Sequence, residues 1–526
     1  MKSVTDFNSY YSGEQIMKNR RFFTLLSARW LAAIVISSLL AGQAALALPR
    51  TQQPAAGRVE FPESPVGKLA RSFIDAINSG DKSAQLSFIN RSFSEATLKR
   101  DSAEEYLENL QRLFAQSGGF DVMALLPSGP GEIRLQLRSR RGNHWARMAT
   151  RLDQAQPDKL DGFGFRAIAD PSAEKENAWS EAKMSEAEAA KEIERHVARA
   201  ASEDRFSGVV LVGKGDNIIF NKVFGMAEKA FQAPNKLDTK FNLGSMNKMF
   251  TSVAIAQLVE AGKLSYEDRL IKVLPDYPNK QAAEKITVHQ LLTHTSGLGD
   301  YFSPEFFQNR EKFKNPQDYL PVFGNRPLLF EPGASWRYSN FGFVVLGAIV
   351  EKLSGQNYFD YVREHIFAPA GMKDTASYAM DEVVPNLAVG YTRFGGNDPL
   401  GIDPRRANYM GLPWRGSPAG GGYSTAPDLF KFSQALRKNK LVKAELTEKI
   451  TSGKVDSAFG SKYGYGFGTE EVNGKSIRGH SGGAPGINSD LKMFWDGSYT
   501  VIVMGNYDPP AAQELAEQIS KFLARQ

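Results

Sequence analysis

The chain has 526 residues, of which 42% are hydrophobic, 23% charged and 11% aromatic, a composition typical of folded protein with more than one domain. It contains no cysteine, which excludes disulfide bonds, thiolate metal sites, iron–sulfur clusters and a cysteine nucleophile. The net charge of +6 falls to about +3 without residues 1–47, and no dense basic run with interleaved aromatic residues indicates a nucleic-acid partner.

Residues 1–47 have the pattern of a secretory signal peptide. Basic residues precede an apolar stretch at 30–40, and Ala45-Leu46-Ala47 supplies the small residues that a signal peptidase reads. A cleaved signal predicts a periplasmic or secreted protein with no stable membrane anchor. The alternative is an uncleaved anchor, since the apolar character continues to the cleavage site. Residues 1–16 are polar, so Met17 is an alternative start.

Residues 48–60 are polar and proline-containing and are predicted to form a linker, followed at 61–170 by a small α+β domain. Hydrophobic periodicity predicts helices and then antiparallel strands, at 66–78, 103–116, 133–138 and 145–152. This order, with the phrase Phe73-Ile74-Asp75-Ala76-Ile77-Asn78-Ser79-Gly80-Asp81, resembles the cone-shaped domain of the nuclear-transport-factor-two and ketosteroid-isomerase-like superfamily (SnoaL-like). No paired carboxylate stands out, which favours an accessory role.

Residues 171–185 are predicted to be a polar linker, and 186–526 a larger α/β domain. Apolar strands are predicted near both ends of this domain, at 206–212, 218–223 and 499–504. Residues 240–450 between them are mostly helical in pattern. We therefore expect a central antiparallel sheet built from the two ends of the domain and flanked by helices, with a helical subdomain inserted between the strands.

The residues Gly244-Ser245-Met246-Asn247-Lys248 open a segment that runs to Gly262 and lacks charge from 249 to 259. A helix that is apolar nearly all round is buried, so Lys248 is expected to enter a core. Positions i and i+3 share a helix face, so the Ser245 hydroxyl and the Lys248 amine can meet. Burial favours a neutral amine that accepts a proton, which predicts a nucleophile with its activator. The alternative is an N-capping serine beside a lysine that reaches the surface.

A second motif, Tyr338-Ser339-Asn340, precedes an apolar helix that Gly355 ends, which places the motif on a loop at a helix start. Tyr338 can act as a general base only if a cation stabilises its phenolate, and a buried lysine would do so. Asn340 can point the same way and hydrogen-bond a substrate amide. The alternative is a serine or asparagine N-cap beside a core tyrosine.

The third motif is Gly479-His480-Ser481-Gly482-Gly483, which follows a hairpin at Asn473-Gly474. The small residues at 481–483 let a substrate lie against the strand edge. A backbone N–H in this run could complete an oxyanion hole with that of Ser245. The alternative is a glycine-rich turn with no role in binding.

Ser-x-x-Lys, Tyr-x-Asn and His-Ser-Gly, in this order, resemble the serine β-lactamase and penicillin-binding-protein superfamily, in the branch of class C β-lactamases, D-aminopeptidases, carboxypeptidases and esterases. Supporting phrases are Thr287-Val288-His289-Gln290-Leu291-Leu292-Thr293-His294-Thr295-Ser296-Gly297-Leu298 and Ala419-Gly420-Gly421-Gly422-Tyr423-Ser424-Thr425. The resemblance covers about 186–525 and implies a β-lactamase/transpeptidase-like fold. It also implies these roles: Ser245, Lys248 and Tyr338 catalytic, Asn340, His480, Ser481 and Gly482 substrate-binding, and the N–H groups of Ser245 and Gly483 as the oxyanion hole.

His480 departs from the pattern, because class C β-lactamases carry lysine there, where a fixed cation helps to hold the substrate carboxylate. Histidine is charged only part of the time near neutral pH, which argues against recognition of an anionic β-lactam. His289 and His294 lack a carboxylate that would complete a metal site, so we expect both to be structural and no metal or cofactor to be bound. His144, His196 and His365 are isolated and expected on surfaces.

The sequence thus predicts an exported serine hydrolase that acts through an acyl-enzyme on a small-molecule or peptide substrate containing an ester or amide. The alternative with the same chemistry is a β-lactamase, a D-alanyl-D-alanine carboxypeptidase or a D-aminopeptidase. The alternative of another class is a non-catalytic binding protein on a penicillin-recognising fold.

Overall fold

The computed structural model describes residues 59–168, 170–171, 178–393, 400–457 and 461–526. The expected signal peptide lies outside the described residues, as does nearly all of the first predicted linker. Among the residues that are described, no helix is long and apolar enough to cross a membrane.

Between residues 65 and 168, helices pack on an antiparallel meander with the strand order β1-β2-β3-β4. The helices are α1 (Pro65–Ser79), α2 (Lys82–Ser92), α3 (Glu95–Arg100) and α4 (Ala103–Ser117). The strands are β1 (Phe120–Leu126), β2 (Glu132–Ser139), β3 (Trp145–Leu152) and β4 (Leu160–Ile168). Ser64 caps α1 by accepting from the N–H of Gly67, and Gly80 ends it with a left-handed φ of 63°.

The helices α2 and α3 of this region were missing from the sequence prediction. Helix α2 buries Gln85 and Ser92 together with Phe88 and Ile89, so its inner face is half polar and gives no clear hydrophobic period. The α+β order agrees with the expected arrangement. The resemblance to the nuclear-transport-factor-two superfamily and the domain boundaries stay predictions.

From residue 178 onward, helices surround a larger sheet. The helices are α5 (Glu186–Ser202), α6 (Asn247–Glu260), α7 (Leu270–Val273), α8 (Lys280–Lys285), α9 (Val288–Leu292), α10 (Pro304–Gln308), α11 (Pro316–Phe323), α12 (Asn340–Ser354), α13 (Tyr358–Val362), α14 (Ala368–Ala370), α15 (Ala426–Arg437), α16 (Ala444–Thr451) and α17 (Ala511–Leu523). The longer strands are β5 (Gly208–Lys214), β6 (Asn217–Phe224), β15 (Gly468–Val472), β16 (Lys475–Ala484), β17 (Ile487–Phe494) and β18 (Tyr499–Gly505). The short strands are β7 (Met226–Glu228), β8 (Ala233–Pro234), β9 (Phe241–Asn242), β10 (Tyr391–Thr392), β11 (Arg406–Ala407), β12 (Tyr423–Ser424), β13 (Val455–Asp456) and β14 (Lys462–Tyr463).

The large sheet has eight antiparallel strands in the order β13-β14-β15-β16-β17-β18-β5-β6, so it unites strands from both ends of the domain, as expected. Strand β5 shows how its faces are covered. Val209 and Leu211 join the core that holds α6 and α12, whereas Val210 and Val212 join the core that holds α5 and α17. Alternate residues of one apolar strand therefore fill two cores, because successive side chains of a strand point to opposite faces.

The predicted surface position of His196 is wrong. Its side chain is buried, its Nε2 donates a hydrogen bond to the Glu192 carboxylate, and its ring stacks on Trp179 at 3.8 Å between centroids. Trp179 lies in the stretch predicted as a linker, and its indole N–H donates to Gln518 of α17. The hydrophobic period of α5 alone gives no sign of the tryptophan that covers this histidine.

Candidate active site

Ser245 lies in a single 3₁₀ turn, Gly244–Met246, which leads directly into α6. Gly244 has a φ of 51°, and a Cβ atom there would lie 2.9 Å from the backbone nitrogen of Gly483. A Cβ at Gly420 would likewise lie 2.9 Å from the Gly244 carbonyl oxygen. The turn therefore packs tightly between strand β16 and the loop that contains Gly420 (the Gly420 loop). Only glycine fits at these contacts.

Lys248 lies in the first turn of α6, and its side chain is fully buried. Its Nζ donates to Asn340 Oδ1 at 2.7 Å and to the carbonyl oxygen of Ala419 at 2.6 Å. Burial lowers the pKa of Lys248 to about 7, against the opposing charge of Asp300. A neutral amine has two N–H donors and one lone pair, so these two bonds leave the lone pair free to accept a proton.

Tyr338 lies just before α12, whose N-cap is Ser339 with its hydroxyl accepting from Gly342 N–H. The Tyr338 hydroxyl hydrogen-bonds with Ser245, and Lys248 Nζ lies 4.7 Å from the centre of the tyrosine ring. Burial raises the pKa of Tyr338 above its ordinary value, although the hydrogen bond with Ser245 opposes this shift. The tyrosine is therefore a neutral hydroxyl rather than a phenolate in the resting site.

Both ring nitrogens of His480 hydrogen-bond within the protein. Nδ1 bonds with the carbonyl oxygen of Ser481, which can only accept, so Nδ1 carries the hydrogen. Nε2 then accepts from the Tyr463 hydroxyl at 2.9 Å. Burial, with the nearby Lys248, lowers the pKa of His480 to about 3. His480 is thus a neutral imidazole with no free donor.

The glycines of β16 bring the strand onto the Ser245 turn. A Cβ at Gly482 would lie 1.9 Å from the Leu243 carbonyl oxygen, and the Gly482 carbonyl accepts from Asn488 Nδ2 at 3.0 Å. Gly483 is exposed and pairs with Asn488 across the strands. This close approach places the Gly483 backbone beside the turn that carries Ser245.

Comparison with known proteins identifies the family. The family profile described as Beta-lactamase matches residues 191–525. The chain belongs to the Beta-lactamase family. It is 33% identical to Penicillin-binding protein 4* of Bacillus subtilis over 327 residues, which cover 59% of this chain and 70% of that protein.

Two further matches agree with this assignment. The chain is 26% identical to the D-aminopeptidase of Brucella anthropi over 314 residues, covering 58% of this chain and 57% of the relative. The solved structure of the penicillin binding protein from Bacillus halodurans superposes with a TM-score of 0.55 at 32% identity, over 61% of this chain and 98% of that one. The expected β-lactamase/transpeptidase-like α/β fold is confirmed, and the protein is a serine hydrolase of this superfamily.

In this Beta-lactamase family enzyme, hydrogen bonds and a cation–π contact link four of the predicted site residues directly: Ser245, Lys248, Tyr338 and Asn340. His480 is joined to them less directly. The ring of Tyr463, its hydrogen-bond partner, packs at 4.8 Å on His294, which itself packs on Tyr338. Ser481 is half-buried and is paired across the sheet with Asp490. The roles of all these residues stay predictions.

The sequence interpretation missed His294 as a site residue. Its ring packs against Tyr338 at 4.3 Å between centroids, and Nδ1 accepts from the N–H of Ser339 at 3.2 Å. Burial and the nearby Lys248 keep the pKa of His294 well below its ordinary value. The other histidine of this motif, His289, hydrogen-bonds with the Tyr465 hydroxyl. No sequence signal separates the two roles, since both histidines lie in one conspicuous phrase.

Proposed function

We propose that this enzyme is an exported serine hydrolase that forms an acyl-enzyme at Ser245 with an ester, amide or peptide substrate. One observation carries the proposal: the buried Lys248 amine has a pKa lowered to about 7 and keeps a lone pair free beside Tyr338, whose hydroxyl hydrogen-bonds with Ser245. A lysine with an ordinary pKa near 10.4 would be protonated at neutral pH and could not accept a proton.

The proposed acylation begins when Ser245 Oγ attacks the substrate carbonyl carbon. The hydroxyl proton passes through the neutral Tyr338 hydroxyl to the Lys248 amine, and a new C–O bond joins Ser245 to the acyl group. The bond to the alcohol or amine leaving group then breaks, and the leaving group takes back the proton. Water hydrolyses the acyl ester, which releases the acid and restores Ser245.

In this proposal the backbone N–H groups of Ser245 and Gly483 form the oxyanion hole. The support is the tight packing of strand β16 on the Ser245 turn, which holds the Gly483 nitrogen close to that turn. Fixed backbone donors of this kind stabilise the tetrahedral oxyanion by about 3–4 kcal/mol each. Asn340, Ser481 and Gly482 would bind the substrate alongside.

The neutral state of His480 supports a substrate that carries no carboxylate at this edge. An anionic ligand needs a cation or an N–H donor, and both ring nitrogens of His480 are already engaged. We therefore favour an uncharged ester or amide over a β-lactam or a peptide with a free carboxyl terminus. A penicillin-binding protein and a D-aminopeptidase among the relatives keep the β-lactam and D-peptide alternatives open to test.

The competing proposal of a non-catalytic binding protein requires a defective site. Hydrogen bonds and a cation–π contact instead join the hydroxyl, the tyrosine and the amide around the buried amine of Lys248. A buried amine that only fills space would be a costly substitute for an apolar side chain.

Intact-protein mass spectrometry of residues 48–526 before and after a fluorophosphonate probe tests the proposal. We expect one adduct on the wild-type protein and none on Ser245→Ala. A parallel incubation with penicillin separates the substrate alternatives, since a penicillin adduct would favour the β-lactam reading. Absence of any adduct would contradict acyl-enzyme formation and favour the binding protein.

Export and the role of residues 61–170 are proposed on separate grounds. The signal-like pattern at 1–47 supports a periplasmic or secreted enzyme, which cell fractionation and N-terminal sequencing of the mature protein would test. We propose an accessory role for the 61–170 region. Leu400 from the catalytic part is buried in its apolar core, and Gln116 donates to Asp403.

A further inference from the structure

Asp300 is a carboxylate beside the catalytic cluster that no motif pointed to. It lies on the loop between α9 and α10 and is half-buried. Oδ1 accepts from the backbone N–H of Tyr301 at 2.7 Å and of Phe302 at 3.3 Å. Oδ2 accepts from Asn340 twice, from the backbone N–H at 3.3 Å and from the side-chain Nδ2 at 2.8 Å. The carboxylate therefore ties its own loop to the start of α12.

The bond from Asn340 Nδ2 determines which way the amide of Asn340 faces. A carboxylate can only accept, so the NH₂ group must point to Asp300 and the carbonyl oxygen to Lys248. In the flipped orientation the NH₂ group would meet the N–H donors of Lys248, and the oxygen would meet the carboxylate. Asp300 thus holds the nitrogen end of the amide, while Lys248 holds its oxygen end.

We propose that Asp300 is a positioning residue that fixes the Asn340 amide and, through it, orients the Lys248 amine that receives the Ser245 proton. Asn340 Oδ1 and the Ala419 carbonyl take the two N–H groups of the amine, which turns its lone pair away from both acceptors. This inference rests on the proposed acyl-enzyme function, and it adds a residue and a mechanism that the function itself does not require.

The charge of Asp300 has a second effect, on the protonation of Lys248. Around the amine lie the imidazoles of His294 and His480 and the hydroxyl of Tyr338, all of which are neutral near pH 7. Asp300 is the charged group whose field raises the pKa of Lys248, in opposition to burial. Removal of this charge should therefore lower the pKa of the amine, because the ammonium form loses its stabilising partner.

The test compares two substitutions at Asp300 with a matched control. Asp300→Asn removes the charge but keeps an oxygen that can accept from Asn340, whereas Asp300→Ala removes both. Asp318→Asn is the control, because Asp318 also accepts two loop N–H groups, from Lys314 and Asn315, without touching the site.

The first readout is the pH profile of fluorophosphonate labelling at Ser245. Both Asp300 variants should move the acidic limb to lower pH, and Asp300→Ala should also lose about 10–100-fold in rate through misplacement of the amine. Asp318→Asn should leave limb and rate unchanged. A limb that stays in place in both variants, with no rate loss in Asp300→Ala, would overturn the proposal. If Asp300→Ala does not fold, the proposal is judged by whether the acidic limb of Asp300→Asn lies at lower pH than that of the wild type.

The second readout is independent of activity. NMR titration of ¹³Cε-labelled lysine, with the Lys248 signal assigned by Lys248→Met, measures the protonation of the amine directly. The proposal predicts a lower pKa in Asp300→Asn than in wild type, and an unchanged value would overturn it. A wild-type protein that never labels at Ser245 would contradict the proposed function instead, while this titration would still judge Asp300.

Discussion

At the residue scale, the chemistry depends on one amine that the fold keeps both buried and hydrogen-bonded. A buried ammonium with three donors and two acceptors leaves one N–H unsatisfied, whereas the neutral amine satisfies both acceptors. Lys248 therefore prefers the form that can accept a proton from Ser245. The same burial keeps Tyr338 protonated, so the two groups divide the tasks of accepting and relaying the proton.

This division predicts the pH dependence of acylation. Because the neutral Lys248 is the reactive form, the rate of Ser245 labelling should rise with pH and level off above the lysine pKa of about 7. The measurement is the labelling rate from pH 5 to 9 with a probe that does not itself ionise in this range. A rate that is still rising tenfold per pH unit at pH 9, as for a lysine with the ordinary pKa of about 10.4, would contradict the assignment. Lys248→Met should lose the limb together with about 10²–10⁴-fold in rate.

The residues of the site differ in how visible they are in the sequence. Ser245 and Lys248 are three apart in an apolar segment, so their meeting follows from helix geometry. Asp300 lies 40 residues before Asn340, and their contact arises only when the loop folds onto the start of α12. Sequence patterns report neighbours within one element, and they carry no signal for such a loop contact.

At the scale of helices and strands, the glycines of the site matter because they lack a side chain and so allow two backbone segments to approach closely. Strand β16 and the Gly420 loop approach the Ser245 turn so closely that a single Cβ would push them apart.

The predicted strand and helix segments match the structure well where apolar periods are strong, as in β3 and α4. They fail for α2, where buried polar residues interrupt the period.

Gly244→Ala tests this tight approach. The new Cβ would lie 2.9 Å from the Gly483 nitrogen, so we expect loss of about 100-fold in Ser245 labelling, beyond the cost of a left-handed backbone. Gly215→Ala is the control, with a similar φ of 56° and nothing within 4 Å of its Cβ. Equal labelling rates in the two variants would show that this tight packing does not position the nucleophile.

At the scale of the whole molecule, the region before residue 168 and the catalytic part share an apolar contact. Leu400 is 2% exposed and belongs to the apolar cluster that α1, α2 and α4 form with the strands β1 to β4. The long-range order of the large sheet also belongs to this scale. Its strands come from both ends of the domain, which the sequence predicts from the apolar runs at 206–223 and 499–504.

Leu400→Ala should loosen this contact. Truncation of a buried leucine typically costs about 2–5 kcal/mol, so thermal unfolding should begin at a lower temperature and first in residues 65–168. Hydrogen exchange of the folded protein would locate the effect. Leu237→Ala is the matched control at a half-exposed leucine, and an equal response of the two variants would contradict the role of Leu400.

The most direct test of the central claim is to trap the acyl-enzyme itself. The enzyme is mixed with an uncharged activated ester, quenched in acid within the turnover time, and digested for peptide mass spectrometry. The account predicts the acyl mass on the peptide that contains Ser245, and its absence in Ser245→Ala. Hydrolysis of the ester by a protein that carries no acyl group on Ser245, or carries it on another residue, would contradict the account.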